Sequence, residues 1–261
     1  MQLSLEGKTA VVCGSTQGIG LAIAEELALM GANCILLARN AEALKNSVQQ
    51  LDSSLRQTHQ YFVADFTKTG QVRGVIEEIA AAQPVHILIN NTGGPAAGPI
   101  IDAKEEAFVQ AFQQHLICNH ILTQAVVPGM RAEGYGRIIN VISTSVKIPL
   151  KNLGVSNTIR GAVASWAKTM ANELGQFNIT VNNILPGYTQ TARLQSLISH
   201  NARQQGVDEQ VVAQHMAADI PMKRFGSAAE IAAVAAFLAS PAASYVNGVS
   251  IPVDGGRTGS I

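Results

Sequence analysis

Three glycines punctuate the segment AVVCGSTQGIG at residues 10–20: Gly14, Gly18 and Gly20. An apolar run precedes them, and the apolar-periodic segment LAIAEELALMGA follows. That order predicts a strand, a tight turn and a helix N-terminus, where backbone N–H groups and the helix dipole hold a phosphate. The spacing is Gly-x-x-x-Gly-x-Gly, not the more familiar Gly-x-Gly-x-x-Gly. Glycines alone would serve a close helix–strand contact equally well, so the strand–turn–helix context carries the reading. A second apolar run ends in LLARN. An NAD site would place an acid there for the ribose hydroxyls, whereas this chain has Ala38 then Arg39. A guanidinium suits a 2′-phosphate, which favours NADP(H) over NAD(H). The plainer alternative is a solvated arginine capping the next helix. Cys13, Cys34 and Cys118 have no metal-ligand spacing, and the six histidines form no ligand group, so no metal is expected.

The elements that position these residues alternate from end to end. Short runs rich in Val, Ile and Leu predict strands at 8–13, 33–38, 59–64, 85–90, 136–142, 178–184 and 249–253. Helices are expected near 18–30, 40–55, 70–82, 104–114, 117–132, 155–175 and 227–239. The pattern predicts an α/β fold: one doubly wound, Rossmann-like, seven-stranded parallel sheet with helices on both faces. No linker divides residues 1–261, so a single dinucleotide-binding domain is expected. The polar segment 190–220 reads as a helical lid over the carboxyl edge of the sheet, or as a plain surface helix pair. Hydrophobic residues make up 47% of the 261, charged residues 14%, and the net charge is zero. This balance gives no sign of nucleic acid or an anionic membrane as partner. No stretch approaches about 18 apolar residues, the N-terminus carries no signal pattern, and the cysteine usage suits a reduced, cytoplasmic protein.

Taken together these pieces resemble a classical short-chain dehydrogenase/reductase over essentially the whole chain, with similarity to 3-oxoacyl-ACP reductase-like members. The matching pieces start with Gly14-Ser15-Thr16-Gln17-Gly18-Ile19-Gly20 and Asp65-Phe66 after the third strand. Asn90-Asn91-Thr92-Gly93 stands where the family usually has Asn-Asn-Ala-Gly. Ser143, Pro186-Gly187 with Thr189 and Thr191, and Val253-Asp254-Gly255-Gly256 complete the set. The resemblance implies that Asp65, Phe66 and the Asn90-Asn91 region hold the adenosine and support the central strand. It implies that Pro186, Gly187 and Thr189 meet the nicotinamide.

The resemblance breaks where the chemistry should be. The family uses an Asn, a Ser and a Tyr-x-x-x-Lys on one helix. With Ser143 in the serine position, Ser156 and Arg160 fall where the tyrosine and lysine are expected. His115 falls at the asparagine position, with Asn119 one turn on as the weaker equivalent. A serine hydroxyl is a far weaker acid than a phenol. Arginine keeps its charge and can still meet ribose hydroxyls. A His115–Ser143–Ser156 relay through water would supply the proton; alternatively His115 only bonds within its helix. Tyr188 either offers a phenol or lines the pocket, and Lys147 and Lys151 flank the loop beside it.

The resemblance thus implies an NADP(H)-dependent oxidoreductase interconverting a small-molecule carbonyl and alcohol, with a rebuilt proton-transfer site. Its catalytic set would be Ser143, Ser156, Arg160 and His115, with Arg160 also on the ribose. The alternatives are a catalytically impaired NADP-binding sensor or partner subunit, or altered chemistry on the same scaffold. Family members pair into homotetramers or homodimers, and the same is expected here.

Overall fold

The computed structural model describes residues 1–260. Among these, the strands are β1 (Thr9–Cys13), β2 (Asn33–Ala38), β3 (Gln60–Val63), β4 (Ile87–Asn90), β5 (Gly136–Val141), β6 (Ile179–Pro186) and β7 (Ser250–Val253). They form one parallel sheet in the order β3-β2-β1-β4-β5-β6-β7. The helices are α1 (Gly18–Leu29), α2 (Ala41–Gln50), α3 (Thr69–Ala82), α4 (Glu105–Phe112), α5 (Cys118–Glu133), α6 (Gly154–Leu174), α7 (Ala192–Gln205), α8 (Glu209–Ala218) and α9 (Ala228–Ala239).

The continuous apolar runs of the strands follow from burial on both faces. Successive side chains point to opposite sides of a strand, so Val12, Leu36, Ile89, Ile139 and Ile184 enter a core with α1 and α9. Their sequence neighbours Val11, Leu37, Leu88 and Ile138, with Val181 of β6, enter the core under α3, α5 and α6. The expected fold class therefore stands, with corrections in detail. The strand β3 is a sheet edge, and Gln60, Tyr61 and Val63 are exposed where burial was expected. The second helix stops at Gln50, because Leu51 turns extended.

The two helices expected at 104–114 and 117–132 are one helical run. A π-helical turn, Gln113–Ile117, joins α4 to α5, with right-handed helical dihedrals at both junctions. Such turns put an extra residue into a helix and recur at functional sites. Here the turn lets the two halves face different partners. Ala107, Phe108 and Ala111 of α4 pack on Val155 and Ile159 of α6. Cys118, Ile121, Leu122 and Val126 of α5 join the sheet core. Within 190–220 lie α7 and α8, closed on each other by Leu194, Ile198, Ala202 and Val212 and by Tyr188 and Phe225 beside them.

A row of amides crosses the sheet on the α3/α5/α6 face. Asn90 Nδ2 donates to Asn140 Oδ1 at 2.9 Å, Asn140 Nδ2 to Asn183 Oδ1 at 2.9 Å, and Asn183 Nδ2 to Ser250 Oγ at 3.0 Å. The strand register places these four residues side by side across β4, β5, β6 and β7.

Candidate active site

The chain leaves β1 toward β2 on one side and β4 toward β5 on the other. That reversal opens a crevice at the carboxyl ends of β1 and β4, where ligands of such sheets bind. Gly14 follows the last residue of β1 there, and Asn91 Nδ2 ties it to β4 by donating to the carbonyls of Cys13 (3.2 Å) and Gly14 (3.3 Å). A Cβ on Gly14 would stand 2.6 Å from the Asn91 carbonyl oxygen, and one on Gly20 would run into the Gly14 carbonyl. These two glycines serve close packing. Gly14 and Gly18 also adopt positive φ, +61° and +56°, and a Cβ on Gly18 would press on Thr191 Cγ2 at 3.2 Å.

The N-cap of α1, Gln17, makes no side-chain cap, and the first turn has no acidic residue. Gln17, Gly18 and Ile19 line the crevice. The first amides of α1 therefore face an open space without a side-chain acceptor, which fits an anionic group. Ser15 is fully buried, with no hydrogen-bond partner for its Oγ among the described residues. The side chain of Thr16 is half-buried.

At the edge of this crevice Arg39 is exposed. It does not cap α2; Asn40 does, accepting from Ala43 N at 3.0 Å. Asp65 stands near it. The Thr67 amide and hydroxyl hold the Asp65 carboxyl below its usual range, and Arg39 and Lys68 add to this. Phe66 packs against the core, and its carbonyl accepts from Cys118 Sγ at 3.4 Å.

The crevice widens into a cleft of about 530 Å³ that runs from Gly14, Gln17, Gly18 and Ile19 past Asn91–Gly94 to Ser143, Ser156 and Arg160. Pro186, Gly187, Thr189 and Arg193 form another wall. Ser143 has extended backbone and its Oγ accepts from Ser145 N at 3.1 Å, so its hydroxyl proton is uncommitted among the described residues. Ser156 and Arg160 lie one turn apart on α6, both buried. Arg160 donates through its two terminal nitrogens to the carbonyls of Val141 (3.2 Å) and Thr92 (3.3 Å). Burial, with help from Arg193, lowers its pKa to about 10, so it stays charged at neutral pH.

His115 is not brought onto this cleft surface. It sits in the π turn, 1% exposed, with Nδ1 sharing a 2.6 Å hydrogen bond with Thr92 Oγ1. No hydrogen bond links it to Ser143 or Ser156, so the direct chain of the three side chains does not form. Burial first, then Arg160 and Arg193, push its pKa down to about 3 and hold it neutral. Asn119 is buried one turn further on. Lys147 and Lys151 are exposed and stand off the cleft. Tyr188 does line it, packed edge-on against Phe225, with its hydroxyl accepting from Arg257 at 3.2 Å.

Sequence reasoning missed Arg193 and Arg257. Arg193 reaches across the cleft and donates to the carbonyls of Gly94 (3.1 Å) and Pro95 (3.4 Å), 99 and 98 residues away. Nothing local marks it beyond its place two residues after Thr191.

A family model described as enoyl-(acyl carrier protein) reductase matches residues 14–258. The chain belongs to the short-chain dehydrogenase/reductase family. It is 32% identical to D-beta-hydroxybutyrate dehydrogenase of Rhizobium meliloti (strain 1021), covering 96% of this chain and 98% of the relative. It is 34% identical to the 3-oxoacyl-[acyl-carrier-protein] reductase FabG of Vibrio cholerae, covering 97% and 98%. Among solved structures, L-sorbose reductase from Gluconobacter frateurii, complexed with NADPH and L-sorbose, superposes with a TM-score of 0.94. It shares 32% identity, with both chains covered in full. This short-chain dehydrogenase/reductase is thus an oxidoreductase, with the seven-stranded Rossmann-like sheet of its relatives.

Proposed function

We propose that the protein interconverts a carbonyl and an alcohol with NADP(H), using a proton-transfer site rebuilt around serine and arginine. The observation that carries this is the single cleft joining the uncapped N-terminus of α1 to Ser143, Ser156 and Arg160. Bound NADPH would supply the hydride. Amides of the Gly14–Gly20 turn would hold its pyrophosphate, and Arg39 would meet its 2′-phosphate beside Asp65, Phe66 and Asn91. Pro186, Gly187 and Thr189 would border the nicotinamide. The relatives support this: one binds NADPH in its solved structure, and others are named as dehydrogenases and reductases.

Ser156 and Arg160 occupy the places of the family's tyrosine and lysine. In this reading Ser143 donates its free hydroxyl proton to the substrate oxygen. Ser156, one helical turn before Arg160, passes the replacement proton from solvent. Arg160, fixed on two carbonyls, orients the ribose hydroxyls and keeps positive charge beside the developing alkoxide. His115 acts as a positioning residue: neutral, it holds Thr92, whose carbonyl in turn holds Arg160. The pair α7–α8 forms the lid of a single domain, and the assembled enzyme is a homotetramer or homodimer working in the cytoplasm.

The test is NADPH oxidation with a panel of ketones and aldehydes. Turnover is expected, and Ser143→Ala should lower kcat about 10²-fold or more, as loss of a general acid does, with NADPH still bound. NADPH binding with no carbonyl turned over, or full activity in Ser143→Ala, would overturn the reading.

A further inference from the structure

Three arginines line the cleft, Arg160, Arg193 and Arg257, and no aspartate or glutamate lines it. None of the three makes an ion pair among the described residues; the pairs found there are Arg73–Glu77, His86–Glu133 and Arg224–Glu230. Every acceptor they have is neutral. Arg160 and Arg193 bond main-chain carbonyls, and Arg257 bonds the Tyr188 hydroxyl while stacking 4.3 Å from its ring centroid. A guanidinium has five N–H donors. Arg193 uses two of them on acceptors and Arg257 uses one. Positive charge gathered in one concave site without a counter-charge calls for an anionic ligand.

The cofactor's phosphates answer this only in part. In the reading proposed above they lie at the α1 N-terminus and Arg39, and Arg160 faces the ribose. Arg193 is anchored on Gly94 and Pro95, just past Asn91-Thr92-Gly93, and stands two residues after Thr191, which lies against Gly18 of the glycine turn. Arg257 stands on Tyr188, which follows Pro186-Gly187. Both line the cleft, and that reading gives neither of them to the cofactor, which leaves them for the substrate.

We propose that the substrate carries an anionic oxygen group, a carboxylate or phosphate, which Arg193 and Arg257 hold while its carbonyl lies at Ser143. This rests on the NADP(H) reading of the same site. The carbonyl carbon gains hydride from NADPH, and its oxygen gains a proton from water by way of Ser143, giving an alcohol and NADP⁺. Paired N–H donors match the flat oxygen edge of a carboxylate, and such charge-assisted bonds are about twice as strong as those to neutral acceptors.

Matched pairs test it: a four-carbon 3-oxo acid against its methyl ester, and dihydroxyacetone phosphate against dihydroxyacetone, each with NADPH. At least one charged member should exceed its neutral partner by about 10–100-fold in kcat/KM, the scale of one or two such bonds. Which pair responds tells carboxylate from phosphate. Arg193→Gln and Arg257→Gln should each shrink that ratio several-fold, mainly through KM, and Arg193→Lys should restore part of it. Folding of each variant is checked by circular dichroism, and its NADPH affinity is measured separately. Equal use of charged and neutral members overturns this inference and leaves the NADP(H) reading standing. So does an Arg193→Gln enzyme that loses NADPH affinity with its charged/neutral ratio intact, since Arg193 would then serve the cofactor. If the wild-type protein does not bind NADPH, the underlying reading falls and this one with it. If NADPH binds but no member turns over, calorimetry of the oxo acid and of the phosphate on the NADP⁺ complex decides: binding of neither overturns it.

Discussion

At the scale of single residues, His115 is buried beside the site and bonded to Thr92. It is neutral because it is buried and faces two arginines, Arg160 and Arg193. Its folded pKa of about 3 lies below the ordinary 6.5. Between those values the unfolded chain binds a proton that the folded protein does not, so stability falls as pH drops through that window. At pH 5 the loss relative to pH 7 is roughly 2 kcal/mol from this residue alone, at 1.36 kcal/mol per unit. Urea titrations at pH 7 and 5 should show a shallower acid loss in His115→Gln than in the wild type. Equal losses would mean that His115 is not held neutral by its surroundings. The same neutrality explains why an imidazole, however well suited in general to proton relay, is a poor reservoir here. Its bond to Thr92 fixes the residue whose carbonyl receives Arg160.

At the scale of elements, the amide row Asn90–Asn140–Asn183–Ser250 ties four strands together with side chains as well as backbone. Asn140 is fully buried and takes part in two of its bonds. Asn140→Leu would leave the Asn90 amide without its acceptor and the Asn183 oxygen without its donor, costing about 2–4 kcal/mol. Urea unfolding should show a lower midpoint at unchanged slope; an unchanged midpoint would mean the row is idle. Such a row is only half legible in a sequence. Strands β1, β2, β4, β5 and β6 declare themselves as Val/Ile/Leu runs because both faces are buried. The asparagines inside them show no sign of facing one another until the register is known. The glycine turn and its helix are equally legible, since strand, turn and helix are contiguous. The π turn at Gln113–Ile117 is not, because it alters hydrogen bonding without altering the apolar spacing enough to signal it. One helical run therefore read as two. Arg193 on Gly94 and Pro95 is illegible for the opposite reason: both ends are ordinary residues, and only the folded sheet edge brings them together.

At the scale of the whole molecule, ligand binding and folding are linked. If NADP(H) seats on the turn at 14–20 with Arg39 on its 2′-phosphate, NADPH at 100 times its Kd should stabilise the fold by about 2.7 kcal/mol. For a chain of this size that raises Tm by about 5–10 °C. Arg39→Ala should lose most of the NADPH shift and keep whatever shift NADH gives. Equal shifts from the two cofactors in the wild type would remove Arg39 from the specificity. The chain as a whole carries as many acidic as basic side chains, 18 of each, yet its cleft carries only basic ones. A molecule with no net charge has little long-range pull on ions of either sign, but a concave wall of one sign focuses its field at the mouth. Anions should therefore be captured faster than the neutral exterior suggests. Stopped-flow association of NADPH should slow as salt rises toward 0.15 M, where the screening length shrinks to about 8 Å. The arginine-lined cleft would then govern how fast its ligands arrive as well as which ones stay.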